Sequence, residues 1–190
     1  MIAESGPAAG IPSVIKLLIA SRLDALPHAE HSLVQLAAVY GKVFWQGGLR
    51  PLGAGTDVSE LLESLDQKDL VRAAPASQFH GDREYTFKHD LIRDVAYEML
   101  PRAERRRLHG RAADWLEAAA GEQVDAYLDQ LAHHASQAGQ LERALDYLRR
   151  AAERAAPAGF SPSPAAAFFS AAPGCTPPRR RPSPPRAASR

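Results

Sequence analysis

Apolar residues recur along most of the chain at spacings of three and four, the period of helices packed on one side. Val14, Ile15, Leu17, Leu18, Ile19, Leu23 and Leu26 cover more than one face, predicting a first helix opened by Ser13, ended by Pro27 and buried around most of its circumference. Leu33, Leu36, Ala37 and Tyr40 mark the stripe of a second helix, with Gly41 placed to end it. Val43, Phe44 and Trp45 form a short core-filling patch, and the glycines at 47, 48, 53 and 55 make the next stretch loop-like, with room for at most a brief helical turn. Val58, Leu61, Leu62 and Leu65 give a third helix, capped by Thr56 or Asp57, with Glu60 near its positive end.

The pattern then changes period. Residues 70–74 and 84–88 read as two strands joined by a turn-rich segment containing Gly81-Asp82. In YTFKHDLIRDVAYE, residues 85–98, the second strand feeds straight into a helix marked by Leu91, Ile92, Val95, Ala96 and Met99. Asp90 is the expected N-cap, which leaves His89 one step outside the helix on a tight corner. Three helices followed by a hairpin is the order of a winged helix. Pro101 suits the first turn of a further helix with Leu108, Ala112, Trp115, Leu116 and Ala119 on its apolar side, broken by Gly121. Residues 124–137 and 141–156 then form an alanine-rich helical hairpin about one solenoid repeat long.

Composition divides the chain at Pro157. Nine of the 15 prolines and five arginines lie from there to Arg190, with no acidic residue, so disorder is expected in that segment. The chain holds 23 Lys and Arg against 22 Asp and Glu, so the body is mildly acidic and the basicity belongs to the tail. The resulting expectation is a mainly α chain: a flexible lead over 1–12, a winged-helix-like domain with a small β-hairpin over 13–100, a helical linker and hairpin over 101–156, and a disordered tail over 157–190. Cys175 is the single cysteine, which excludes an internal disulfide and a thiolate zinc cage. No leader and no apolar run of about eighteen residues is evident, so a cytoplasmic protein without membrane contact is expected.

Catalytic signatures are missing. There is no G-x-x-x-x-G-K-[ST], G-x-S-x-G or H-E-x-x-H, so neither catalysis nor a cofactor of its own is expected from this chain. His133 and His134 are adjacent on a helix and point about 100° apart, poor geometry for one metal, and no metal site is expected. The run ERRRLHGR, 104–111, puts Arg105, Arg106, Arg107 and Arg111 on one helix and allows a DNA-binding alternative through phosphate neutralisation. Glu98, Glu104 and Asp114 are at hand to pair with those arginines, and the third helix is acidic where a recognition helix needs Arg, Asn or Gln, so nucleic acid is the weaker reading.

The segments IPSVIKLLIASRLDALP, LVQLAAVYGKVF, LLESLDQKDLVR and EYTFKHDLIRDVAYEMLPRAERRRLHGRAADWLE resemble the region that follows the ATPase core in bacterial signal-transduction ATPases of the STAND class. The likeness covers about residues 11–156 and is most specific over 85–117; it points to proteins that couple such an ATPase to an adenylate or guanylate cyclase or to a transcriptional activator. In that family a winged helix closes over the nucleotide, and a Met-His-Asp corner touches bound ADP. Here the corner is Lys88-His89-Asp90, with lysine in the methionine position. The resemblance implies that His89 contacts the ADP β-phosphate in an intact parent, with ATP or ADP held by a neighbouring ATPase domain. The C-terminal hairpin is similar to a tetratricopeptide repeat, with Leu128, Leu131, Ala132 and Ala135 on one helix and Gly139, Ala144, Leu148 and Ala151 following, which implies protein partners for the repeat surface.

Overall fold

The computed structural model describes residues 13–55 and 58–155. The lead 1–12, the caps Thr56 and Asp57, the side chain of Ser13 and the tail 157–190 lie outside the described residues. The described chain is mainly helical, with one three-stranded antiparallel sheet.

Helices α1 (Ser13–Asp24) and α2 (His28–Tyr40) lead into β1 (Val43–Trp45), α3 (Gln46–Leu52) and α4 (Val58–Gln67). Strands β2 (Val71–Ala73) and β3 (Glu84–Phe87) precede α5 (Asp90–Met99) and α6 (Arg102–Ala120). A 3-10 segment, Gly121–Tyr127, then leads to α7 (Leu128–Ala138) and α8 (Leu141–Ala155).

The expected hairpin is present, and β1 joins it. β3 is the central strand, pairing Phe44 with Tyr85 on one side and Val71 with Phe87 on the other. Because side chains alternate across a sheet, Phe44, Val71, Tyr85 and Phe87 face one core with Leu33, Val34 and Ala37 of α2, Leu62 and Leu65 of α4, and Ile92, Val95 and Ala96 of α5. The patch expected only to fill the core is thus also a strand.

The 46–52 region corrects the loop expectation. It is a helix because its glycines serve packing and termination. Gly48 is buried, and a Cβ there would lie 2.8 Å from the Tyr40 hydroxyl, which donates to the Gly48 carbonyl at 2.9 Å. The amide of Gly47 in the first turn donates to the Asp82 carboxylate at 2.9 Å, a cap supplied by the distant turn before β3.

α1 is also less covered than its composition implied. It leans on α5, burying Leu23 and half-burying Ile19 and Ala20, while Val14, Leu17 and Leu18 stay 74%, 69% and 71% exposed. One neighbouring helix can cover only one side. α2 and α4 are tied by Glu30, a buried carboxylate that accepts from Ser64 at 3.0 Å and from Lys68 at 2.5 Å.

A second core joins Trp45 and Phe79 to Leu116 of α6, Tyr127, Leu128, Leu131 and Ala135 of the 3-10 segment and α7, and Ala144 and Tyr147 of α8. Tyr40 sits between the two cores, edge-on to Trp45, Trp115 and His134 at 5.6–6.2 Å between centroids. The helix expected over 124–137 begins only at Leu128, since Tyr127 leaves helical geometry (φ −113°, ψ 10°) with its ring 5.1 Å from that of Phe79.

Candidate functional site

Strand β3 delivers His89 to the corner that opens α5. Its backbone is extended (φ −134°, ψ 135°), its carbonyl accepts from the Ile92 amide at 3.0 Å, and its side chain is exposed. His89, not Asp90, therefore occupies the N-cap position. Asp90 is the first helical residue and makes no capping hydrogen bond; its carboxylate turns to the Lys42 ammonium at 3.1 Å. The expected cap is corrected by one position. Its charge still lies in the first turn, where the helix dipole favours it, and the N-cap His89 makes no side-chain capping hydrogen bond.

Sheet pairing brings further residues to this corner. Lys42 precedes β1 and its carbonyl accepts from Phe87, while Arg72 on β2 lies directly opposite Thr86. Lys42, Arg72, Thr86, Phe87, Lys88 and His89 line an open depression of about 420 Å³. Lys88 pairs with Asp69 and Lys42 with Asp90, whereas Arg72 is exposed with no carboxylate partner among the described residues. Three cations thus face two carboxylates, next to the N-cap of α5. That balance suits an anion with several oxygens, phosphate above all.

The arginines of α6 do not reach this corner. α5 separates them from it by about 15 Å of helix. Arg105 closes the C-terminal end of α5, donating to the carbonyls of Glu98 and Leu100 at 2.8 Å and lying over the Tyr97 ring at 4.6 Å. Arg107 pairs with Glu104, which its guanidinium holds below the usual carboxylate pKa range. Arg111 donates to the Pro51 carbonyl at 3.4 Å, and Arg106 is exposed beside Gly139. Three of the four guanidiniums are therefore committed to protein groups, Arg105, Arg107 and Arg111.

The structure brings together one cluster that sequence reasoning did not assemble. The Nδ1 atoms of His109 on α6 and His134 on α7 lie 2.8 Å apart, and Nε2 of His109 lies 2.8 Å from the Tyr97 hydroxyl. Both rings are buried, which pushes the pKa of His109 down to about 4 and that of His134 to about 3; His133 and, for His109, Arg105 add in the same direction. Neutral rings satisfy this chain in either of two ways. A single proton bridges the two Nδ1 atoms, and Tyr97 donates to or accepts from Nε2 accordingly. No group of three or more His, Cys, Asp or Glu converges on a metal position among the described residues. Lys42 and Arg72 were also missed, because only strand pairing makes them neighbours of His89.

No protein-family model, curated protein or solved structure matches the chain. Among the described residues no helix is long and apolar enough to cross a membrane.

Proposed function

We propose that this chain is the non-catalytic regulatory arm of a multidomain signalling ATPase of the STAND class, closing on the phosphate of ADP held by a neighbouring ATPase domain. The observation that supports this most is the open cationic depression at the start of α5, with His89 exposed at its rim and Arg72 lacking a carboxylate partner. A diphosphate would draw on Arg72, Lys88, His89 and the first-turn amides of α5, and the ATPase domain would supply the rest of the pocket. The winged-helix reading is supported by the three expected helices, α1, α2 and α4, followed by a hairpin whose central strand also pairs with β1; α3 is an additional short helix between β1 and α4. The α7–α8 hairpin, turning at Gly139 in left-handed geometry, supports the helical-repeat reading and a protein-binding role beyond it.

The arm would be bistable. Docked, its cations hold the nucleotide; released on exchange, it passes the change through α5 and α6 to the helical hairpin and on to a cyclase or transcriptional output domain. A ligand shifts such an equilibrium only by its differential affinity for the two positions, so the charge on this corner sets the size of the response.

The test mixes the chain with a cognate ATPase core and follows ADP retention. The intact chain should slow ADP release, and His89→Ala and Arg72→Ala should each weaken that effect several-fold without altering the fold, since both side chains are exposed. Equal retention with the intact chain and with both variants refutes the reading.

A further inference from the structure

Among the described residues, helix α8 carries an apolar line whose outer side is left uncovered, separate from the cationic depression. Ala144 and Tyr147 are buried in the second core, with Leu148 and Ala151 half-buried beside them. Leu141 and Leu145 point outward, 66% and 46% exposed. Leu141, Leu145, Leu148 and Ala152 follow one another at intervals of four, three and four residues, a spacing that reads the same in both directions. A second α8 running antiparallel would set Leu145 against Leu148 and Leu141 against the small Ala152, with large opposite small so that the axes approach closely.

The flanking charges fit the same arrangement. Glu142 and Arg149 each follow a leucine of the line, on the same flank. In an antiparallel pair that flank meets its own copy, so Glu142 of each chain faces Arg149 of the other, twice by symmetry. A parallel pair would instead set these charges against Ala144 and Ala151. Arg149 is tied within its own helix to Asp146 and Glu153 at 2.8 Å, but those pairs are exposed, and exchanging them costs little.

From the palindromic spacing and the complementary flank we infer that α8 is a self-association surface, covered by α8 of a second copy of this chain in antiparallel orientation. This inference stands apart from the nucleotide reading. Two such helices bury on the order of 600–800 Å², below the ~1,200 Å² of stable complexes, so the dimer belongs to the weak, concentration-dependent class.

Sedimentation equilibrium of the full chain between ~10 µM and ~1 mM should show a reversible monomer–dimer transition with Kd on the order of 100 µM. Leu145→Asp should raise that Kd more than about tenfold, and Leu17→Asp on the exposed face of α1 should leave it unchanged. Glu142→Arg and Arg149→Glu should each weaken the dimer about threefold or more, and the double variant should return to the original affinity. Circular dichroism establishes that helix content is retained; if Leu145→Asp unfolds α8, the two exposed charge positions carry the test. A chain monomeric throughout this range overturns the inference. A dimer lost with Leu17→Asp, one indifferent to Leu145→Asp in a folded variant, or a double variant that does not recover overturns it equally.

Discussion

Lowering the pH from 7.5 to 5.5 should destabilise this protein through the His109–His134 pair. In the unfolded chain both imidazoles titrate near 6.5, whereas burial holds them at about 4 and about 3 in the fold. A base with a depressed folded pKa contributes its full stability above the unfolded value. The loss begins as pH falls below about 6.5, where the unfolded rings take up protons, and ends only near the folded values. At pH 5.5, one unit below the unfolded value, each ring contributes a loss on the order of 1 kcal/mol, so the pair contributes a loss of a few kcal/mol. That is a large part of the ~5–15 kcal/mol that holds a typical domain together. The hydrogen bond sharpens the effect: one added proton places a charge in the core, and a second sets two N–H groups against each other across 2.8 Å. Urea unfolding followed by the fluorescence of Trp45 and Trp115 reads the change, in a range largely above carboxylate titration. His134→Gln, which keeps a polar partner for His109 without titrating, should halve the pH-dependent loss. The reasoning fails if the parent loses less than about 0.5 kcal/mol between these pH values, or if His134→Gln loses as much as the parent.

Further expectations follow from other contacts. Lys68→Met leaves the buried Glu30 carboxylate with only Ser64 and should cost roughly 2–3 kcal/mol in urea unfolding, discounted from a fully buried pair because Lys68 is partly exposed; Glu30→Leu with Lys68→Met should recover most of it. Gly48→Ala should cost about 1–3 kcal/mol through the contact with Tyr40 and Trp115, and adding Tyr40→Phe should restore part of that loss. Asp82→Ala should cost about 1 kcal/mol and raise amide exchange in the first turn of α3, because the cap on Gly47 is removed. Neutralising Arg105 should raise amide exchange in the last turn of α5, whose carbonyls it satisfies.

Periodicity located the long helices because their cores lie on one side, as Leu62 and Leu65 of α4 or Ile92, Val95 and Ala96 of α5 show. The β2–β3 hairpin was legible from its alternation and its turn. What could not be read locally depends on partners distant in the chain. α3 forms among glycines because Asp82, 35 residues on, caps it and Tyr40 fits against Gly48. α1 has the composition of a buried helix but packs chiefly on α5 among the described residues. At the candidate site, the strand-to-helix corner gave His89 and Asp90 their neighbourhood, but Asp90 turned to Lys42 across the sheet. Arg72 reached the same depression through register alone, and His109 met His134 because two helices cross there. No spacing rule carries that information.

The placement of Tyr40 and Trp45 has a practical outcome for anyone dividing this polypeptide. Trp45 and Phe79 come from the sheet half of the sequence yet are roofed by Leu116, Trp115 and Tyr127 from the helical half. A piece ending near residue 100 would leave those rings in water and tend to aggregate, and the complementary piece would lose the platform on which its helices rest. The two halves should therefore melt in a single transition.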